Sequence, residues 1–202
     1  MTHLSTTSLA SYLDALAAAT PAPGGGSAAG VAGAMGAALV EMVAGLSLAK
    51  SGAASAEHSG LQRTALERAR SARVELLQLA DDDAVAYGAF MEALKLPKSS
   101  DDERAARTSA ISAAAQRAAE VPLATLRAAV AVAEAARGIL DKSLLAAASD
   151  LEVAARFARA SGESAAENVE ANLPYIDDPQ TRAEIASQTS AALIALHRAT
   201  PQ

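Results

Sequence analysis

Cysteine and tryptophan are absent from this 202-residue chain, and its aromatic residues amount to two phenylalanines and three tyrosines. Without a thiol there is no disulfide, thiolate zinc site, iron–sulfur cluster or cysteine nucleophile. A cysteine-free chain fits a reducing compartment, and the cytoplasm is the expected location. Basic runs are also missing: the balance of 17 Lys+Arg against 23 Asp+Glu gives a net charge of −6. With few rings for bases to stack on, nucleic acid is not an expected partner, and any anion would need a local pocket. No stretch shows the β-branched or aromatic alternation of a sheet. What fills the chain instead is alanine, roughly 56 residues of it, which favours helix.

Two segments imitate export or membrane signals. Met1 to Pro23 ends in small residues, but no Lys or Arg precedes Lys50 and Asp14 interrupts the apolar run, so it reads as an amphipathic helix rather than a leader. Ser27 to Ala49 carries one charge, Glu41, and is long enough to span a bilayer. Its alanines and glycines are only weakly hydrophobic and suit the centre of a bundle, where missing side chains let backbones approach closely. No membrane partner is expected.

The chain reads as one helical domain over residues 1–202, an all-α, up-and-down antiparallel bundle with long and kinked helices. A first helix is predicted from near Ser8 to Ala19, stopped by Thr20-Pro21-Ala22-Pro23-Gly24-Gly25-Gly26, and a second from Ser27 to about Leu48. A third runs from about Glu57 to Leu94. Ser100-Asp101-Asp102-Glu103 is a capping box that opens the next helix, which Pro122 is predicted to interrupt before a further helix reaches Arg137-Gly138. Helices over Lys142 to Ser161, Glu163 to Leu173 and Thr181 to His197 follow. Alanine buries little area, so a bundle this poor in large apolar side chains gains by extending its core across a subunit boundary. A homodimer is expected.

Among chemistry-bearing residues Asp83 stands out. At helical spacing it shares a face with Leu76, Leu79, Tyr87, Phe90 and Leu94, so a carboxyl is placed inward, where burial raises its pKa and suits it to proton transfer. Asp81 and Asp82 point elsewhere, and Asp82 is read as solvated. Asp150 lies on the side of Ala146, Val153, Ala154 and Phe157 and also points inward, unless it or Ser149 caps a helix restart. Asn168 and Asn172, one turn apart, could read a heterocycle's donors and acceptors or serve structural hydrogen bonds. Gly24, Gly25, Gly26 and Ser27 deliver bare N–H groups to a helix start, which can hold an anion or simply form a hinge. His3, His58 and His197 stand far apart, with no metal-ligand spacing, so no metal is expected. No nucleophile elbow is present.

Taken together, these segments resemble the cyclodeaminase/cyclohydrolase family of one-carbon folate metabolism. The resemblance rests on Pro21-Ala22-Pro23-Gly24-Gly25-Gly26-Ser27 with Met35-Gly36-Ala37-Ala38-Leu39 and Met42-Val43, on Asp81-x-Asp83-Ala84-x-Ala86-Tyr87, and on Ala93-Leu94-Lys95-Leu96-Pro97-Lys98. It continues through Arg107, Val121-Pro122-Leu123, Ser149-Asp150-Leu151-x-Val153-Ala154 and Asn168-Val169-x-x-Asn172-Leu173. It implies a helical dimer without metal, a folate site near the subunit interface, and tetrahydrofolate as carrier of the reacting carbon. On that resemblance Asp83 is the proton shuttle and Asp150 its partner or an anchor for the pterin. The glycine turn with Ser27, and Asp81, Asn168 and Asn172, would bind substrate, and Lys98 and Arg107 would meet the glutamate tail. Two departures stand out. Leu46-Ser47-Leu48-Ala49-Lys50-Ser51-Gly52 stands where the family has a Thr-x-Gly-Lys/Arg type stretch, and Ser143-Leu144 replaces a Gly-Asn pair. They leave room for a divergent member acting on another imine, amidine or pterin-like substrate, or for a non-catalytic binding protein.

Overall fold

The computed structural model describes residues 3, 6–50 and 58–200. Six α-helices account for most of them: α1 Leu9–Ala17, α2 Gly25–Ala49, α3 Ser59–Leu94, α4 Asp101–Ile139, α5 Ala148–Asn172 and α6 Pro179–Ala199. No strand occurs among the described residues. The all-α expectation is met.

Helix α2 is the axis of the packing, and its glycines explain why. A methyl group on Gly30 would lie 2.8 Å from the Leu76 carbonyl of α3, and one on Gly36 would lie 2.9 Å from the Ala154 carbonyl of α5. Gly33 touches both neighbours, through Leu76 and Ser161. Spaced three residues apart, these glycines let two backbones press against α2 at once. Gly26 faces Asp83 and Gly45 faces Leu66, so α3 runs antiparallel to α2; Gly25 near Asn168 and Gly36 near Ala154 show the same for α5. α4 closes the bundle, antiparallel to both α3 and α5, as Arg117 beside Asp82 and Asn172 beside Ala118 record. The single charge of α2, Glu41, accepts Arg73 Nε at 2.6 Å and faces Arg70 Nε at 3.5 Å. By length and composition α2 could cross a membrane, but here its small residues are the seams of the core.

The capping box forms as expected. Ser100 Oγ accepts the Glu103 N–H at 3.1 Å, and Glu103 Oε2 accepts the Ser100 N–H at 3.1 Å. Three boundaries differ from the sequence reading. α2 starts at Gly25, two residues early, because the glycines themselves enter the first turn. The separate segments expected over Lys142 to Ser161 and Glu163 to Leu173 are one helix, α5, preceded by the short 3-10 turns Leu140–Lys142 and Leu145–Ala147. Gly162 does not break α5, since its bare Cα lets Leu196 and Leu126 close over it. Finally, Pro122 does not end its helix: α4 continues through it to Ile139.

Candidate active site

The approach of α3 to the start of α2 creates the chemistry. α2 has Gly24 at its N-cap, and glycine has no side chain with which to satisfy the first free N–H groups. Asp83, from the middle of α3, does this instead by accepting the backbone N–H of Ser27, the third residue of α2. A carboxylate at this position also meets the favourable end of the helix dipole. The anion that the glycine turn can hold is thus supplied from within the chain.

Burial pushes the Asp83 carboxyl above the usual carboxylate range, and the Ser27 N–H opposes this only in part. Ser27 is itself buried, and its hydroxyl pairs with the Tyr12 hydroxyl at 3.3 Å. Burial raises the Tyr12 phenol too, the Ser27 bond lowers it, and the nearby Asp83 charge raises it further.

Asp83 opens onto a cavity of about 200 Å³ lined by Gly24, Gly25, Gly26, Tyr87, Phe90, Asn168 and Asn172. Phe90 is braced from behind by Tyr175, with ring centroids 5.1 Å apart at 68°, an edge-to-face contact. Across the Ala22 wall lies a larger cavity of about 760 Å³, with Tyr12, Ser27, Asp81 and Asp82 in its lining.

The glycine turn, Asp83, Asn168 and Asn172 therefore converge. Ser27 and Asp81 face the larger cavity; Asp81 Oδ2 lies 3.4 Å from His3 Nδ1. Asp82 accepts Gln78 Nε2 at 2.9 Å and keeps partial exposure. The structure does not bring the remaining candidates to Asp83. Asp150 sits in the first turn of α5, roughly 27 Å along that helix from Asn168. Arg107 Nη2 donates to the Leu94 carbonyl, about 16 Å along α3 from Asp83, and Lys98 is exposed in the turn beyond. Leu144, the departure from the family pattern, donates its N–H to Ser47 Oγ at 3.1 Å near the opposite end of α2. Among the described residues no three His, Cys, Asp or Glu side chains converge. Sequence reasoning missed Tyr12, whose signal was an aromatic in a short helix otherwise exposed.

Fold and cleft together define a helical bundle with a half-buried acid at its cleft. The family model for formiminotransferase-cyclodeaminase matches residues 8–191, and the chain belongs to that family. It is 41% identical over 167 residues to a methenyltetrahydrofolate cyclohydrolase of Methylorubrum extorquens, covering 83% of this chain and 79% of that one. It is 32% identical over 190 residues to the formimidoyltransferase-cyclodeaminase of Gallus gallus, covering 94% of this chain but 35% of that protein. The chain thus spans about a third of the bifunctional relatives. A solved structure of formiminotetrahydrofolate cyclodeaminase from Thermotoga maritima matches with a TM-score of 0.80 and 27% identity, covering 98% of both chains.

Proposed function

We infer that the protein is a one-carbon folate enzyme, and that it acts as a methenyltetrahydrofolate cyclohydrolase. The observation that carries this is the Asp83 carboxyl, half-buried on the N-terminus of α2 and open to a cleft, in a chain that shares 41% identity with a cyclohydrolase over most of both lengths. In the proposed reaction a water adds to the carbon bridging N5 and N10. The Asp83 carboxylate takes a proton from that water as the C–O bond forms, then delivers it to N5 as the C–N5 bond breaks. The hydroxyl proton of the intermediate leaves to solvent, and the N10-formyl product remains. Burial suits Asp83 to both steps by raising its proton affinity toward neutral pH.

Tetrahydrofolate in this reading is the carrier of the substrate carbon, and no metal takes part. Arg107, whose Nε is buried without a partner, and Lys98 are our choices for the glutamate tail. Asp150 has a place in the scheme only across a subunit boundary. The same proposal includes one helical domain, a homodimer and a cytoplasmic location. Support for the dimer comes from an apolar stripe on α2, where Met35, Met42 and Leu46 stay exposed.

A second reading, formiminotetrahydrofolate cyclodeaminase, is favoured by the Thermotoga maritima structure. There the same carboxyl would take the N10 proton and pass it to the departing ammonia. One experiment separates the two: purified protein is given methenyltetrahydrofolate, with loss of the methenyl absorbance followed, and formiminotetrahydrofolate, with ammonia release followed. Turnover of the first substrate supports the cyclohydrolase, turnover of the second alone supports the cyclodeaminase, and turnover of neither defeats both.

A further inference from the structure

Pro122 lies inside α4 and has no N–H to give, so the carbonyl four residues earlier, Ala118, has no helical partner. The structure fills the gap from another helix: Asn172 Nδ2 of α5 donates to Ala118 O at 3.1 Å. The same nitrogen donates to Asn168 O at 2.8 Å. Both amide hydrogens are therefore used. Turning the amide over would place its oxygen against two carbonyl oxygens, so the orientation is fixed by its partners. Asn172 lines the cavity that holds Asp83, and the only hydrogen-bonding capacity it has left is the acceptor Oδ1. Asn168 differs. Its Nδ2 makes one bond, to Ser164 O at 2.8 Å, which leaves it both an N–H and an oxygen.

We propose that Asn172 is a specificity-determining residue that accepts an N–H from the edge of a bound heterocycle, with Pro122 as the positioning residue that keeps its amide in acceptor polarity. The assignment rests on the folate reading, in which a pterin edge offers such N–H donors. It deepens that reading by naming the edge of the ligand that faces α5. A ring presenting only acceptors at that edge would meet Asn172 Oδ1 unfavourably and be rejected, since an unpaired buried acceptor costs more than a missing contact.

The test is a cycle of Pro122→Ala, Asn172→Ala and the double variant. Each is assayed for thermal stability, for kcat and KM with methenyltetrahydrofolate, and for tetrahydrofolate binding by calorimetry. Pro122→Ala returns an N–H to the Ala118 carbonyl and should raise Tm, while weakening one of the two bonds that orient Asn172 and leaving the one to Asn168 O. We expect KM and the tetrahydrofolate Kd to rise about fivefold or more, with kcat within twofold of wild type. Asn172→Ala should weaken binding at least tenfold, and the double variant should match Asn172→Ala alone, because Pro122 acts through Asn172. Unchanged binding in Pro122→Ala, or effects that multiply in the double variant, overturns the assignment while the folate reading stands. A wild-type chain that binds no tetrahydrofolate overturns both.

Discussion

Gly26 and Asp83 occupy adjoining space so closely that a methyl group on Gly26 would lie 2.0 Å from Asp83 Oδ1 and 2.5 Å from its Cγ. The glycine is there because the carboxyl is. Gly26→Ala should therefore dislodge Asp83 from the Ser27 N–H and lower kcat at least tenfold, with a stability loss of about 1 kcal/mol for the lost cap. Gly30→Ala offers the contrast. Its methyl meets the Leu76 carbonyl at 2.8 Å and the Ala80 Cβ at 2.9 Å, one helical turn from the carboxyl and without touching it, so it should cost about 1–3 kcal/mol of stability while turnover per folded molecule holds. Thermal melts and steady-state kinetics on the pair check the separation.

Asp83 serves as helix cap and proton carrier together, and two substitutions pull these roles apart. Asparagine keeps an oxygen for the Ser27 N–H but cannot carry a proton, so Asp83→Asn should lower kcat by about 10²–10⁴-fold with the fold intact. Alanine removes both, leaving a buried N–H unpaired, and should also destabilise by about 1–2 kcal/mol. The sign for asparagine is opposite. A carboxyl raised in the folded state resists ionisation that the unfolded chain undergoes freely, so wild-type stability falls as pH climbs from the ordinary value of 3.8 through the folded one. Asp83→Asn should thus be at least as stable as wild type at neutral pH, by up to about 1 kcal/mol, with the difference vanishing in acid. Equal turnover in wild type and Asp83→Asn would end the proton-carrier role.

The pH dependence of turnover follows from the same carboxyl. If water attack needs the ionised form, kcat/KM should rise with pH along an acid limb centred above 3.8, the ordinary aspartate value. Burial is the cause of that displacement, so Ser27→Ala, which keeps the backbone N–H, should shift the limb little. In Asp83→Asn the residual rate should lose the limb. A limb at or below the ordinary value would mean that another group titrates.

How much of this was readable from residues alone depends on whether the deciding interaction was local. The capping box at Ser100 and Glu103, the inward face of Asp83 and the burial of α2 follow from spacing along one helix, and each is legible. Continuity through Pro122 was not, because the energy that keeps α4 whole comes in part from Asn172, 50 positions away in the chain and on a different helix. The same holds for the glycine turn. Its free N–H groups were evident, but the anion that fills them is Asp83, 57 residues further on, and only packing of α3 on α2 joins the two. Distances along α5 likewise separated Asp150 from the cleft, although both face inward by periodicity.

The exposed stripe on α2 gives the last prediction. Met35, Met42 and Leu46 recur at intervals of seven and four residues and are each about 41–42% exposed, which places them on one face of the helix. Val153 of α5, 37% exposed, and Leu145, 90% exposed in the turn before that helix, add to the exposed apolar side chains. In a core this rich in alanine, large apolar side chains are scarce, and leaving these five exposed, among others, forfeits burial energy of about 25 cal/mol for each Å². A second copy of the chain meeting this face by two-fold symmetry would recover it, since such an interface pairs a patch with itself. Met42→Glu would then place two like charges against each other near the axis. Wild-type protein should show the mass of two chains by light scattering at micromolar concentration, and Met42→Glu the mass of one, with helical circular dichroism unchanged. A variant that still runs as two chains would move the interface to another face.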